Sequence, residues 1–393
     1  MHDASAAHQI DSERSTALPK LDLDSFKDKG YLTHSLHPYP AKFVPQIPRK
    51  IMDEISPTGG TILDPFCGSG TTLVEASLSG RSSLGVDSNE LATRIARAKT
   101  HVCTGAEIAT LRDLHDALAQ VAFEYAAQPQ ICPIEPRIPE FKNRDHWFRE
   151  DAAIELGMIR RLLDDQPTNA TRNIAEVVFS SIIVKCSRQE SDTRWRAVDK
   201  PYALGDALRF MLTRLTSAIA AFADFSQATG EHANVGVRCA EASDLSHIAS
   251  ESVDTVITSP PYLNSFDYYL YHKLRMFWLG IDHYAAQKSE IGSRNKHCDN
   301  GESAESFFQA MKACAQEMHR VLRSNGKAVI VVGDSIYKGE LVRMDRVYTE
   351  IFGQCGMRCI DHMTFDQRKY TRSFTPKLKT MEKSTHILLY ANR

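Results

Sequence analysis

The sequence lacks an excess of either charge. Its 47 Lys and Arg residues are matched by 49 Asp and Glu residues, so the formal net charge is −2. Any surface for a polyanionic partner must therefore be local, and the net charge neither supports nor excludes nucleic acid. Long apolar runs are also absent, since a stretch such as Ala328 to Val332 is only strand-sized, and the N-terminus has no hydrophobic leader. These absences predict a folded protein of the cytoplasm with no membrane partner.

Metal-binding cysteine patterns are missing as well. The nine cysteines include no CxxC pair, and Cys355 and Cys359 have no second pair or histidine cluster to complete a zinc site. The sequence therefore predicts reduced structural thiols and no metal centre. It does contain 42% apolar residues in 393 positions, which is enough for a sizeable core.

Strands and helices alternate at both ends of the chain, as in a doubly wound sheet. The first half of this pattern comprises a strand at 60–66, a helix at 72–78, a strand at 83–87 and a helix at 89–100. The second half comprises strands at 235–239 and 253–258, a helix near 303–322, a strand at 327–332 and a late hairpin at 358–365 and 385–390. Between the two halves, apolar residues have helical spacing at 152–163, 174–185 and 204–222.

This pattern divides the chain into three parts. Residues 1–24 are polar and predict a flexible tail. Residues 25–102 and 235–393 together predict one α/β catalytic domain, and residues 103–234 predict a mostly helical insertion. No internal repeat is visible.

The first strand leads into a glycine-containing turn, Asp64-Pro-Phe-Cys-Gly68-Ser-Gly70-Thr71-Thr. Glycines there let the main chain approach a ligand, and the N–H groups of the following helix face it. Asp87 ends the next strand, at about the distance from the turn expected of an acidic residue that binds a ribose hydroxyl. A third glycine and a GK[ST] sequence are both absent, so the turn favours S-adenosylmethionine over a dinucleotide or a nucleoside triphosphate. The alternative is a plain tight turn with no ligand.

A second distinctive loop, Thr258-Ser-Pro-Pro-Tyr262, follows the strand at 253–258. Consecutive prolines fix the main chain and leave carbonyl groups without neighbouring N–H groups. Ser259 Oγ and the Pro260 carbonyl, held in place by Pro261, can then accept both hydrogens of an aromatic amine and favour its reactive pyramidal form. Tyr262 offers a face on which a flipped base can stack. The alternative is a proline loop that only ends a core strand.

Together the two loops resemble those of the DNA amino-methyltransferases of bacterial restriction-modification systems. The S-P-P-Y form is similar to the branch specific for cytosine N4, whereas adenine N6 enzymes more often carry D-P-P-Y or N-P-P-Y. The resemblance covers about residues 31–100 and 235–392. It implies a mostly parallel, seven-stranded S-adenosylmethionine-dependent methyltransferase sheet, double-stranded DNA as the partner, and a cognate restriction endonuclease acting as a separate protein.

The same resemblance implies roles for individual residues. Phe66, Gly68 and Gly70 would line the methionine and adenosyl parts of the cofactor, and Asp87 would bind its ribose. Glu241, with Asp244 as a neighbouring candidate, would lie near the adenine amino group. The segment around Lys42 and Phe43 is similar to the family's motif that closes over the cofactor. Asp64 and Thr71 complete the predicted cofactor loop.

Two basic segments are candidates for DNA contact. The first combines Arg368, Lys369, Arg372 and Lys377 with two aromatic residues between the last two predicted strands, and the alternative for it is a solvated hairpin loop. The second contains Arg188, Arg194 and Trp195 in the insertion, where a loop with internal salt bridges is an equal alternative. In the family a module between the two loops often recognises the target, but this insertion precedes the strand at 235–239. It is therefore either a target-recognition region or a helical cap.

Other functions remain open from the sequence. The same acceptors would hold the N6 amino group of adenine, and an RNA or protein amide methyltransferase would share the x-P-P-Y loop. The absence of a recognisable RNA-binding module counts against RNA. A DNA-binding protein without activity is disfavoured because both loops are intact. Recognition sequence and oligomeric state are not encoded in any motif.

Overall fold

The computed structural model describes residues 17–22, 26, 28, 30–229, 233–264, 266–294, 296–297, 303–366 and 383–392. The first elements of the described residues are a 3₁₀ helix at Leu32–Ser35 and helix α1 at Gln46–Ile55. The predicted βαβα unit follows as β1 Thr61–Asp64, α2 Thr71–Leu78, β2 Ser82–Asp87 and α3 Glu90–Thr100. Upstream of these elements, Leu18 is buried and its N–H donates to Asp361 Oδ2 at 2.7 Å.

Residues 105–228 are mainly helical. Their elements are α4 Gly105–Ala127, α5 Arg144–Trp147, α6 Glu150–Asp164, α7 Asn169–Cys186, strands β3 Gln189–Ser191 and β4 Arg194–Ala197, and α8 Asp206–Ala228. Leu91, Ile95 and Ala98 on one face of α3 belong to the same apolar cluster as the buried faces of α4, α7 and α8. The helical segment therefore packs on the catalytic sheet through α3. Its status as a separate domain stays a prediction.

The chain then returns to the sheet. The elements are β5 Val235–Cys239, β6 Val253–Thr258, α9 Tyr268–Tyr271, α10 Lys273–Leu279, α11 His283–Ser289, α12 Ala304–Val321, β7 Leu322–Gly333, β8 Ser335–Tyr337, β9 Glu340–Val342, α13 Met344–Gln354, β10 Arg358–Asp366 and β11 Ser384–Ala391. Seven strands form one sheet in the order β10-β11-β7-β6-β1-β2-β5. The strands from β7 to β5 are parallel, and β11 pairs antiparallel with both β7 and β10. The predicted seven-stranded, mostly parallel sheet with a closing hairpin is confirmed.

The central strands of the sheet, β1, β6 and β7, are mostly buried, as expected for parallel strands covered by helices on both faces. On β7, Ala328 and Ile330 belong to the apolar cluster that includes α12 and α13, whereas Val329 and Val331 belong to the cluster that includes α1. Because the strands are parallel, the carboxyl ends of β1, β2 and β6 lie along the same edge of the sheet. This edge brings the two loops predicted from the sequence together.

Among the described residues, no helix is long and apolar enough to cross a membrane. The described cysteines are free thiols. A cytoplasmic location and the absence of a metal centre stay predictions.

Candidate active site

The turn after β1 is built around left-handed glycines. Gly68 has φ +49° and Gly70 has φ +79°. A Cβ atom added to Gly70 would lie 2.9 Å from both Cα and Cβ of Ala96 in α3, which is closer than real Cβ atoms approach. Only glycine therefore allows the turn to pack directly on α3 while its other side faces an open cavity. Gly70 supports the turn from behind, and Gly68 lines the cavity.

Asp87, the last residue of β2, is hydrogen-bonded to the turn that follows β1. One carboxylate oxygen accepts the main-chain N–H of Gly68 at 2.9 Å, and the other accepts that of Asn89 at 2.9 Å. Burial raises the pKa of Asp87 to about 6, against the opposing effect of these two hydrogen bonds. A carboxylate has about four lone-pair sites, so oxygens that each accept one N–H can still accept hydroxyl hydrogens from a ligand.

A hydrogen bond connects the cofactor turn to the catalytic loop. Thr258, the last residue of β6, donates its hydroxyl hydrogen to Asp64 Oδ1 at 2.6 Å, and the N–H of Phe66 donates to the same oxygen at 3.2 Å. Asp64 and Thr258 are both buried, with 3% and 0% of their surfaces exposed. Burial raises the pKa of Asp64 to about 6, and the Thr258 hydrogen bond acts in the opposite direction. The two loops thus share one buried carboxyl group.

The Ser-Pro-Pro-Tyr loop lines the same cavity as the cofactor turn. Ser259, Pro260, Pro261 and Tyr262 all face it. Burial raises the pKa of Tyr262, partly offset by the neighbouring Ser259 side chain and the main chain of Gly333. Tyr262 is therefore a neutral phenol at physiological pH, placed next to the serine predicted to hold the amine.

A segment that precedes β1 also lines the cavity. Tyr39, Lys42 and Phe43 line it, and the ammonium group of Lys42 donates to the carbonyl of His34 at 3.1 Å. Burial lowers the pKa of Lys42. The Tyr39 ring stacks on Tyr268 with centroids 5.7 Å apart and planes 20° apart. This contact ties the segment that precedes β1 to α9, which follows the catalytic loop.

Of the predicted catalytic and cofactor-binding residues, all except Gly70 line this cavity. Those that line it are Lys42, Phe43, Asp64, Phe66, Gly68, Thr71, Asp87, Glu241, Ser259, Pro260, Pro261 and Tyr262. Asp244, the alternative to Glu241, is absent from the lining, and its Oδ1 accepts the N–H of Ser246 at 3.1 Å. The individual roles of these residues stay predictions.

Sequence reasoning missed part of the cavity wall. Ser289, Glu290 and Ile291 line the cavity but lie outside every predicted motif, and Tyr39 lines it from within the predicted closing segment. Glu290 accepts the main-chain N–H groups of Tyr268 at 2.6 Å and Tyr269 at 3.4 Å. No sequence pattern marks Glu290, because it reaches the cavity only through the packing of α9 against α11.

Some of the aromatic residues after the catalytic loop line the cavity, and others are buried in the apolar core. Phe266 and Tyr268 line the cavity. Tyr269 and Trp278 are buried in the apolar cluster of the helical segment, and Phe277 packs against it. Of these aromatic residues, the two nearest the loop therefore line the cavity.

Of the residues predicted to contact DNA, the described Arg188 and Arg194 do not line the cavity. The Arg188 guanidinium donates to the carbonyls of Asp145 at 3.0 Å and His146 at 3.2 Å, so it holds the hairpin β3–β4 against α5. Arg194 is half-exposed and pairs with Glu190 at 2.8 Å. Arg368, Lys369, Arg372 and Lys377 lie outside the described residues. A role of either segment in DNA contact stays a prediction.

The residues of the cavity fit S-adenosylmethionine. The left-handed turn leaves the main chain at Gly68 open to a ligand, and Asp87 presents a carboxylate at the end of the second strand. Phe66 and Ala242 supply apolar surface near Glu241, which suits a purine ring. The sheet order and this site define the chain as an S-adenosylmethionine-dependent methyltransferase by fold.

Comparison with known proteins narrows the class. The family model described as DNA methylase, of the N6/N4 type, matches residues 11–98 and 253–391, more than half of the chain. This chain therefore belongs to the DNA methylase family. The family membership also confirms S-adenosyl-L-methionine as the cofactor expected from the sequence.

Curated relatives include three type II methyltransferases. M.MvaI of Kocuria varians is 28% identical over 167 residues, which cover 42% of this chain and 35% of M.MvaI. M.MjaII of Methanocaldococcus jannaschii is 40% identical over 78 residues, 20% of this chain and 15% of the relative. M.BsoBI of Geobacillus stearothermophilus is 20% identical over 425 residues, 87% of this chain and 82% of the relative. The matches thus span about a third or less of the first two relatives and most of the third.

Proposed function

We propose that this chain transfers a methyl group from S-adenosylmethionine to an exocyclic amino group in duplex DNA, with N4 of cytosine as the favoured target. The observation that carries the proposal is the shared cavity. It is lined by the cofactor turn and by the Ser-Pro-Pro-Tyr loop, and the 2.6 Å hydrogen bond from Thr258 to Asp64 holds these two loops together.

The catalytic loop supplies acceptors for the amino group. Ser259 Oγ and the carbonyl of Pro260 would each accept one amino hydrogen, so that the nitrogen lone pair is drawn out of conjugation and points toward the cofactor turn. Pro260 and Pro261 restrict the backbone angles, so the Pro260 carbonyl is held in a fixed orientation. Bound S-adenosylmethionine supplies an electrophilic methyl group on its sulfonium. Positioning by the protein then accounts for much of the rate.

The target base must leave the DNA stack to reach this cavity. Tyr262 and Phe266 line the cavity and offer aromatic faces for the displaced base. The Ser-Pro-Pro-Tyr form favours cytosine N4 by its similarity to that branch of the family. Methylation of adenine N6 is the alternative, since the same two acceptors fit its amino group.

We further propose that the protein acts in restriction-modification, with a cognate endonuclease as a separate protein. The names of its relatives, type II methyltransferases, support this role. Target recognition is assigned to residues 103–234, where Arg194 and Arg196 are exposed on the hairpin β3–β4.

Substitution of Ser259 by alanine tests the proposed chemistry. The variant should keep its affinity for S-adenosylmethionine, measured by calorimetry, and lose turnover on DNA by about a hundredfold or more, as expected when one group of a preorganised site is removed. Ser252→Ala is a matched control, because Ser252 lies just before β6 at the far end of the same strand. Unchanged turnover of Ser259→Ala would refute the role of this serine, and an equal loss in Ser252→Ala would indicate a general structural effect.

A further inference from the structure

Glu290 is an acidic side chain of the cavity wall with acidic neighbours. It lines the cavity together with the cofactor turn and the catalytic loop. Its carboxylate accepts the N–H groups of Tyr268 and Tyr269, and the charges that act on it most strongly are Asp267 and Asp87. The ammonium group of Lys296 contacts the main-chain carbonyl of Glu290 at 2.8 Å and so holds the backbone of this residue in place.

The surroundings of Glu290 favour its neutral form when the cavity holds no ligand. Burial raises the pKa of Glu290 to about 8, and the charges of Asp267 and Asp87 act in the same direction. Five titratable groups interact electrostatically with Glu290. They are Asp267, just before α9; Tyr268 and Tyr271, in α9; Asp87, at the end of β2; and Tyr39, in the segment before β1. These groups are acids and phenols. Cations are also present, since the Lys296 ammonium group contacts the main-chain carbonyl of Glu290 and Lys42 lines the cavity. A cationic ligand would give the carboxylate a further attractive partner.

Methyl transfer changes the charge of the ligand in this cavity by one unit. S-adenosylmethionine carries a sulfonium cation, and S-adenosylhomocysteine, the product, carries a neutral thioether in the same place. Three further carboxyl groups, those of Asp64, Asp87 and Glu241, line the cavity. Asp64 and Asp87 titrate at about 6, so they are ionised before Glu290 as the pH rises. Of Asp64, Asp87 and Glu290, Glu290 is thus the last to ionise, with a pKa of about 8.

We propose that Glu290 is a specificity residue for the cofactor: it loses its proton when S-adenosylmethionine binds, and its negative charge favours the cationic cofactor over S-adenosylhomocysteine. The inference rests on the proposed methyl transfer from S-adenosylmethionine. Loss of the sulfonium charge after transfer removes the attraction, so that the product is released and replaced by fresh cofactor.

Calorimetry on the whole protein tests this role without a catalytic readout. Titrations at pH 7.5 in two buffers of different ionisation enthalpy should show net proton release when S-adenosylmethionine binds, since a group with a pKa of about 8 is mostly protonated at that pH. Binding of S-adenosylhomocysteine should release almost none. The affinity of the wild-type protein for S-adenosylmethionine should also rise between pH 7 and 9, because ionising Glu290 becomes less costly.

Glu290→Gln should remove the proton release and lower the ratio of the two affinities by about tenfold, because one close charge pair is lost. Glu155→Gln is the matched control. Glu155 is also a buried carboxyl group whose pKa is raised by burial, and it accepts the N–H groups of Gly205 at 2.6 Å and Ala207 at 2.9 Å, but it does not line the cavity. This control should retain wild-type proton release and affinity ratio.

The outcomes separate this inference from the proposed function. If the wild-type protein binds both ligands with equal proton release, or if Glu290→Gln keeps the wild-type affinity ratio, the role of Glu290 is refuted while methyl transfer stands. If the wild-type protein binds neither ligand, both proposals fail. The wild-type titrations decide the question even if Glu290→Gln does not fold.

Discussion

Replacement of Thr258 by valine isolates the hydrogen bond that joins the two loops of the site. Valine keeps the shape of the side chain and removes only the hydroxyl group that donates to Asp64 at 2.6 Å. A hydrogen bond to a charged group contributes about 1.5–3 kcal/mol and one to a neutral group about 0.5–1.5 kcal/mol. The size of the loss therefore depends on the charge of Asp64.

That charge changes with pH in a defined direction. The pKa of Asp64 is about 6 in the folded protein and about 3.9 in an unfolded chain. The folded state holds this proton more tightly, so ionisation of Asp64 lowers the free energy of unfolding as the pH rises from about 4 to above 6. Removing the Thr258 hydroxyl raises the pKa further and increases this loss. We expect Thr258→Val to lower the free energy of unfolding by about 1.5–3 kcal/mol at pH 8 and by about 1 kcal/mol at pH 5.

Urea unfolding at the two pH values measures this difference. Thr255→Val is the matched control on the same strand, since Thr255 is 1% exposed and its hydroxyl has no hydrogen-bond partner among the described residues. The control should not lower the free energy of unfolding at either pH, because it removes a buried hydroxyl that makes no hydrogen bond. A loss in Thr258→Val that is equal at pH 5 and pH 8, or a loss matched by the control, would refute the assigned hydrogen bond.

Two further predictions concern the turn and the hairpin. Gly70→Ala should lower the melting temperature more than Gly80→Ala: both positions have positive φ, but only at Gly70 would the added Cβ meet α3, at 2.9 Å. Comparable melting temperatures for the two variants would contradict the close packing at Gly70. Arg194→Ala should weaken binding to duplex DNA of any sequence and reduce the slope of log affinity against log salt concentration by about 1, as expected for one lost phosphate contact. Filter-binding measurements at several salt concentrations test this prediction. An unchanged slope would show that Arg194 does not contact a DNA phosphate.

Local sequence patterns were sufficient for the elements that form the site. The strands at Val235–Cys239 and Val253–Thr258 follow the predicted bounds. Both are short runs rich in β-branched residues with clear ends, although only the second is largely buried. The turn at Gly68 and Gly70 was predictable because only glycine adopts its backbone angles without strain. The cofactor turn and the catalytic loop lie at one edge of the sheet because each follows the carboxyl end of a parallel strand.

Helix α4 was missed although the sequence contains its signals. Ile108, Leu111, Leu114 and Leu118 repeat at helical spacing and are all buried. Thr104 also forms a capping box with Glu107, in which the Thr104 side chain accepts the Glu107 N–H and the Glu107 carboxylate accepts the Thr104 N–H. A systematic search for capping boxes would therefore have found this helix.

Other features could not be predicted from local sequence. The hairpin β3–β4 is stabilised by contacts from distant residues, including the hydrogen bond from the Gln189 amide to the carbonyl of Tyr271 at 3.1 Å. The stacking of Tyr39 on Tyr268 joins residues more than two hundred positions apart. Glu290 faces the cavity for the same reason. Such contacts are determined by tertiary packing, which cannot be predicted from the periodicity of one sequence.

Identification of the methylated base tests the central claim most directly. The purified protein would be incubated with isotope-labelled S-adenosylmethionine and unmethylated bacterial DNA, and the DNA would be digested to nucleosides for mass spectrometry. We predict label in N4-methylcytosine. Label in N6-methyladenine would contradict the cytosine assignment while leaving the amino-methyltransferase mechanism in place, and the absence of label from every DNA base would contradict DNA methylation by this chain.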